Sequence, residues 1–217
     1  MSLTFWSEFL TATWETCYMV ALSGLLAVMF GFLLGVALFA TKPNGLLTHP
    51  FCYKLLSSVA NIIRSIPFII LLVAVIPLTR FITGTSIGTS AAIVPLTIGA
   101  IPFVARVVES ALSEIGYGLI EAGLTLGATP IQIIVRILIP EALPALIKGI
   151  TLMLIALVGY SAMAGAIGGG GLGDLAIRYG YQRFDVAVMI YTIIILVVLV
   201  QLLQFSGDIL ARKFDRR

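Results

Sequence analysis

Charge is scarce along this 217-residue chain: Asp, Glu, Lys and Arg supply 11% of it, where soluble domains carry about 25%. A water-soluble globule needs a polar shell, and this sequence cannot build one. Cysteine is scarce too. Cys17 and Cys52 stand at opposite ends of an apolar segment, roughly 30 Å or more apart at the helical rise of about 1.5 Å per residue, which excludes a disulfide between them. With a single histidine, His49, and no CxxC pair, the chain offers no metal constellation. It has no GxxxxGK[ST] phosphate loop, so it cannot hydrolyse ATP by that route, and no GxSxG elbow for a membrane-embedded hydrolase. Met1 to Leu10 contain no Lys or Arg, so the basic start of a secretory signal is missing and the first apolar segment is expected to remain as a span. Neither an internal repeat nor an acidic residue in mid-span is visible, which removes the main support for an ion-coupled carrier.

What fills the chain is hydrocarbon: 60% of residues are hydrophobic and the mean hydropathy is +1.13. A spanning helix needs about 20 mainly apolar residues. Five segments meet that length, at about 16–41, 55–79, 89–113, 143–164 and 186–207. The expected fold is all-α, an integral membrane protein with five transmembrane helices in one domain, 1–217, and a connecting loop at 116–141. Lys42-Pro43-Asn44-Gly45 closes the first span with turn chemistry. The net charge of +3 could suggest nucleic acid, but the basic residues are dispersed among apolar segments instead of forming one stripe, so no such partner is expected. They report orientation instead. Ten of the thirteen Lys and Arg residues, Arg216 and Arg217 among them, fall on the side of the 116–141 loop and the C-terminus; Arg80, Arg178 and Arg183 fall on the other. Basic residues near span ends are retained in the cytoplasm, so the loop and C-terminus are expected inside and the N-terminus outside.

The loop reads Glu121-Ala122-Gly123-Leu124-Thr125-Leu126-Gly127, then a basic and apolar stretch to Pro140. Leu119 to Leu126 suit a short helix with Ile120 and Leu124 on one face. Gly127 can end it in the left-handed conformation. Thr129 and Pro130 supply an N-cap and a first-turn proline for a second helix, which Pro140, lacking an N–H, is expected to break before Glu141. An interfacial hairpin with no partner and a docking element for another protein both satisfy this pattern. The acidic residue with small neighbours, the glycine six positions on and the Ile139-Pro140 ending resemble the Glu-Ala-Ala loop of bacterial ABC importer permeases. Gly123 stands for that motif's second alanine, and Ile139 for the leucine before its proline. The resemblance implies a type I ABC importer permease fold, with an ATPase gripping the loop through Glu121, Ala122, Gly123, Leu124, Gly127 and Pro140. Glu121 near a helix N-terminus would also be favoured by the helix dipole alone.

Asn61 to Phe68 place Arg64, Ser65 and Pro67 in one helical stretch. Pro67 removes the hydrogen bond to the carbonyl of residue 63, and such an opening at membrane depth is tolerated only beside protein or a water-filled cavity. Arg64 can snorkel to the interface. Ser65 and Pro67 are candidates for a translocation pathway or gate. Tyr160, Ser161 and Met163 of the fourth span join them, an aromatic, a hydroxyl and a thioether that would line a path for a polar amino acid with an apolar tail; a methionine there also serves plain packing. Arg106 and Glu109, spaced i,i+3, read as a structural ion pair. Gly168 to Gly173 formally fit GxGxxG, but a membrane helix precedes them and Ile193 stands where an acidic residue is needed, so no dinucleotide site is expected. Gly170, Asp174, Arg178 and Tyr181 instead suit a flexible external surface that receives another protein, although the tyrosines also fit an interfacial aromatic belt.

Arg64-Ser65-Ile66-Pro67-Phe68 with the run to Leu72, and the stretch from Val158 to Gly173, resemble methionine permeases in particular. By that resemblance the chain is expected to be a homodimeric permease of the bacterial inner membrane that imports D- or L-methionine. Two cytoplasmic ABC ATPase subunits would hold ATP and magnesium, and a periplasmic or lipid-anchored methionine-binding protein would deliver the cargo. The permease itself would bind no cofactor, perform no covalent chemistry, and otherwise touch membrane lipid. A permease for another amino acid or small polar solute fits the same motifs.

Overall fold

A computed structural model describes residues 3–43 and 45–215; Asn44 of the expected turn, and Arg216 and Arg217 of the basic terminus, lie outside the described residues. In hydrocarbon a backbone must satisfy its own N–H and C=O groups, and a helix does so within one segment. Among the described residues there is accordingly no strand. The chain runs α1 (Leu3–Thr41), α2 (Pro50–Ser65), α3 (Phe68–Ala74), α4 (Ile76–Thr83), α5 (Thr89–Ser113), α6 (Tyr117–Thr125), α7 (Pro130–Ile133), a π-helical turn (Ile134–Leu138), α8 (Ile139–Ala166), α9 (Gly171–Leu175), a second π turn (Ala176–Tyr181) and α10 (Val186–Phe214). Among the described residues four stretches, Trp6–Thr41, Thr89–Ser113, Pro130–Ala166 and Val186–Phe214, are long and apolar enough to cross a membrane, and the bent pair α2 and α3 makes a fifth if it counts as one span.

Three boundaries differ from expectation. The first helix starts well upstream of residue 16 and takes in Glu8 and Glu15. Carboxylates near the end of a span do not stop a helix, and the Glu15 carboxylate is put to use by a turn described below. In place of a single span over 55–79 there are three helices. Ile66 is extended (φ −81°, ψ 123°), because the Pro67 ring drives the residue before it out of the helical region, and α3 leaves α2 at 103°. Finally, Pro140 does not break the loop's second helix. Residues 130 to 166 run as one rod, in which the N–H of Ile139 donates to Ile134 O, one residue further back than in an α-helix. That widened turn takes up the position where a proline ring would collide with the preceding carbonyl.

The core lies around α5. In its most apolar stretch 56% of residues are buried, against 11% for α10, which makes α5 the central helix and α10 the peripheral one. α1 lies against α5 through Gly31 and Gly35. A Cβ on either glycine would stand 2.6 Å from the Cβ of Val104 or Val108, respectively. This Gly-x-x-x-Gly spacing is the small-residue contact through which membrane helices approach closely, a signal legible in the sequence that counting spans passes over.

The helices place two corners at opposite ends. One carries α6, α7 and the end of α10, where Phe214 and Asp215 face Pro140 and Glu141. The other carries the start of α1, the 84–88 turn and the glycine-rich turn, joined by a bond from Gly88 N to Gly168 O at 2.8 Å.

Candidate functional site

The hairpin of α6 and α7 is shaped by its own backbone. Gly127 adopts φ +77°, its N–H donates to Leu124 O, and Ala128 N–H donates to Gly123 O, each at 3.0 Å. These two bonds across a left-handed glycine form a Schellman close, which satisfies carbonyls the helix end would leave free. Thr129 N–H then donates to Gln132 Oε1 at 2.9 Å while Gln132 N–H donates to Thr129 Oγ1 at 3.4 Å, a reciprocal capping box that the Thr-x-x-Gln spacing encodes. Gly123 is buried between the two helices, and a Cβ there would lie 3.0 Å from Ile133 and 3.1 Å from Ile137. Glycine in place of alanine therefore lets α6 and α7 close together.

With its shape fixed from within, the hairpin turns side chains outward. Glu121, Ala122, Leu124, Gly127 and Pro140 are exposed. So are Tyr117, Leu126 and Ile131, at 60%, 88% and 69%. These three extend the candidate surface beyond the motif positions; the sequence signal was their apolar character in an otherwise polar-tolerant loop. Beneath the hairpin lies a cavity of about 500 Å³ lined by Phe39, Lys42, Leu112, Tyr117, Ile120 and Leu124. Lys42 donates to Ser113 Oγ at 2.9 Å and sits 4.4 Å over the Phe39 ring. Partial burial pulls the Lys42 ammonium below the ordinary lysine range, opposed by the Glu109 carboxylate.

The second group of residues surrounds the break at Pro67. Ser65 is exposed and donates to Asn61 O at 2.8 Å, and Pro67 caps α3. The Phe68 ring stacks on Tyr160 of α8, with centroids 4.4 Å apart and planes at 10°, so the break is tied to α8. Met163 is 45% exposed, on the same side of α8 as the exposed Gly159 and Leu152. Ser161 does not share that side. It is 2% exposed and donates to Val158 O at 2.8 Å, because two residues advance the helix by about 200°. Phe68 thus ties the break beside Ser65 and Pro67 to Tyr160, and Met163 lies on the exposed face of α8, while Ser161 points into the subunit.

At the opposite end the glycine-rich turn is a packed corner, where a flexible surface was expected. Gly168, Gly170 and Gly171 have φ of +89°, +78° and +75°, which side-chain-bearing residues rarely adopt. Gly171 N–H donates to Glu15 Oε2 at 2.7 Å and Leu172 N–H to Thr16 Oγ1 at 2.9 Å, so α1 caps the start of α9. A Cβ on Gly173 would strike the backbone of Ala162. Outside this corner Asp174 and Arg178 pair at 2.9 Å, Arg178 and Arg183 both lie over the Tyr179 ring, and Tyr181 is 67% exposed. A groove of about 210 Å³ runs between α1 and α9, lined by Glu8, Glu15, Asp174 and Arg178 among others. Among the described residues no group of His, Cys, Asp or Glu is arranged to hold a metal.

Comparison with known proteins finds that residues 27–217 match the model of the binding-protein-dependent transport system inner membrane component family. The probable D-methionine transport system permease protein MetI of Vibrio cholerae is 56% identical over 208 residues, 96% of this chain and 92% of that protein. Its counterpart from Haemophilus influenzae is 51% identical over 98% of this chain and all of its own. Among solved structures, a chain of the MetNI methionine ABC transporter in inward-facing conformations superposes with a TM-score of 0.98, at 50% identity and full coverage of both chains. An amino acid ABC transporter chain at 18% identity, with a TM-score of 0.81 over 97% of this chain and 96% of its own, shares the fold.

Proposed function

We propose how this chain works from one premise: it belongs to the family of binding-protein-dependent transport system inner membrane components. It is the transmembrane permease subunit of an ATP-driven ABC importer, and its cargo is methionine. Relatives matched over nearly the whole chain bear D-methionine permease names, and a methionine ABC transporter chain has the same fold throughout, which supports the assignment.

The observation that carries the mechanism is the locally locked, outward-facing apolar hairpin. An ATPase subunit on the cytoplasmic side grips α6 through Glu121, Ala122 and Leu124, with Leu126 and Ile131 extending the contact. Gly127 shapes the tip, and Gly123 holds it from inside. Pro140 marks the widened turn through which the hairpin continues into α8, so a pull on the hairpin is delivered to a spanning helix without an intervening loop. This end lies in the cytoplasm and the N-terminus outside, a reading supported by the excess of Lys and Arg on the hairpin side.

A second copy of the chain supplies the other half of the pathway. The exposed side of α8 with Gly159 and Met163, and the break at Ser65 and Pro67 beside it, face that partner. Methionine crosses as a zwitterion with a soft thioether, for which the Phe68 and Tyr160 rings and Met163 are suitable apolar neighbours. Asp174, Arg178 and Tyr181 receive a methionine-binding protein at the outer end, steadied by Gly170 and its turn. Two ATPase subunits hold ATP and magnesium, and the permease holds neither. Nucleotide binding favours one of two packings of the dimer and hydrolysis returns it, because a ligand shifts an equilibrium only by its differential affinity for the two states.

The test is reconstitution of the chain with its ATPase and binding protein in vesicles. ATP-dependent uptake of labelled methionine should be competed by unlabelled methionine ahead of other amino acids. Glu121→Lys should abolish co-purification of the ATPase and uptake together, with membrane insertion intact. Uptake that persists without any ATPase would sink this reading.

A further inference from the structure

α2 is attached to the rest of the subunit in an unusual way for a membrane helix. Of its sixteen residues only Ala60 is buried. In place of an apolar seam, it offers a polar stripe, Tyr53, Ser57 and Asn61, at the i,i+4 spacing that puts all three on one side. That stripe meets one ion pair on α5. Arg106 Nη1 lies 2.6 Å from Glu109 Oε2, while Arg106 Nη2 donates to Ser57 Oγ at 2.6 Å, Asn61 Oδ1 at 2.8 Å and Ser57 O at 3.3 Å. Tyr53 Oη donates to Glu109 Oε1 at 3.1 Å. The ion pair that the spacing predicts inside α5 is therefore also the fastening between two helices.

Its position on both chains of connection is what gives it a role. Arg106 and Glu109 occupy the last two turns of α5, and only Glu114 to Gly116 separate that helix from α6, the docking hairpin. On the other side, α2 ends four residues after Asn61, at the 103° break whose Phe68 stacks on Tyr160. A guanidinium fixes donor directions in a planar fork, so this fastening moves α2 with α5 even though α2 buries almost no apolar surface. We infer that Arg106, held by Glu109, is a positioning residue that transmits displacement of the hairpin to α2 and hence to the break in the pathway. This rests on the permease reading above.

The importer reconstituted in vesicles tests it, with methionine uptake and ATP hydrolysis measured on the same sample. Arg106→Gln should lower the ratio of uptake to hydrolysis by about tenfold or more, the scale of a lost charge-assisted hydrogen bond. Ser57→Ala with Asn61→Ala leaves the α5 pair intact and removes two acceptors on α2. It should lower the same ratio several-fold, and it serves where Arg106→Gln fails to assemble. Exchange of the pair, Arg106→Glu with Glu109→Arg, restores an ion pair within α5 but removes the guanidinium fork from position 106 and sets a carboxylate against the Ser57 carbonyl, so it should not restore the ratio fully. Spin labels at Ser58 and Glu114, with Cys17 and Cys52 replaced, should show a nucleotide-dependent distance that is lost in the alanine double variant. An unchanged uptake-to-hydrolysis ratio in the alanine double variant, or full rescue by the exchange, overturns the inference and leaves the pair as an intrahelical brace. Absence of ATP-dependent uptake in the unaltered importer would instead defeat the permease reading itself.

Discussion

The hairpin at one end of the molecule and the glycine-rich turn at the other both close a helix with a Schellman pair across a left-handed glycine, and they differ in what else holds them. The hairpin is held by bonds between residues at most five apart: the Schellman close at Gly127 and the capping box of Thr129 and Gln132. The glycine-rich turn opens with the same local close, Gly168 N–H donating to Gly165 O and Gly169 N–H to Ala164 O, but it is also pinned by Glu15 and Thr16, 156 residues away in sequence. A corner stabilised locally leaves its side chains free to face outward, as Leu126 and Ile131 do. A corner stabilised by the rest of the fold must present backbone to that fold, which is why Gly169, Gly171 and Gly173 are buried and Leu172 is fully covered.

This contrast can be broken in graded steps. Gly173→Val should have the largest effect, since its Cβ meets the Ala162 backbone and no flexible side chain can yield; a loss of roughly 3 kcal/mol or more, read as failure to recover folded permease from membranes, is expected. Leu126→Glu should leave thermal unfolding of the isolated permease in detergent unchanged while weakening ATPase binding about tenfold or more, as for a central apolar contact at an interface. Thr16→Val keeps side-chain volume but leaves the buried Leu172 N–H without an acceptor, so thermal unfolding should report a loss of about 1–3 kcal/mol with hairpin docking unaffected. Thr129→Ala should be mildest, about 1 kcal/mol at most from the lost cap, seen as faster hydrogen exchange confined to residues 129–133. Should Thr129→Ala destabilise the whole subunit more than Thr16→Val, the distinction between a local and a tertiary corner would not stand.

The same distinction explains what was readable beforehand. Gly127, Thr129 and Pro130 announce their turn because cap chemistry acts over three or four residues. The Pro67 break was visible as a proline, but not its 103° angle, which depends on Phe68 finding Tyr160 some ninety residues later. Pro140 misled because a proline's usual effect on a helix can be absorbed by a π turn, and nothing in the 134–138 residues signals that register. Side-chain chemistry groups Ser161 with Tyr160 and Met163, and the helical period sends it the other way. The exposed apolar residues of the hairpin were readable as apolar, though their exposure required knowing which side α5 and α8 leave open.

Composition and hydrophobic periodicity by themselves determined that the chain is an all-helical membrane protein, because a bilayer admits few other ways to satisfy a backbone over lengths of twenty apolar residues. Local cap and turn chemistry determined the outline of the hairpin of α6 and α7. Tertiary structure alone decided that α2 hangs from α5 by Arg106 and Glu109, that the glycine-rich run is a sealed corner, and that α5 is the axis of the core. Each of these depends on contacts between residues far apart in the chain, whose meeting is set by how whole helices pack and not by any short-range preference.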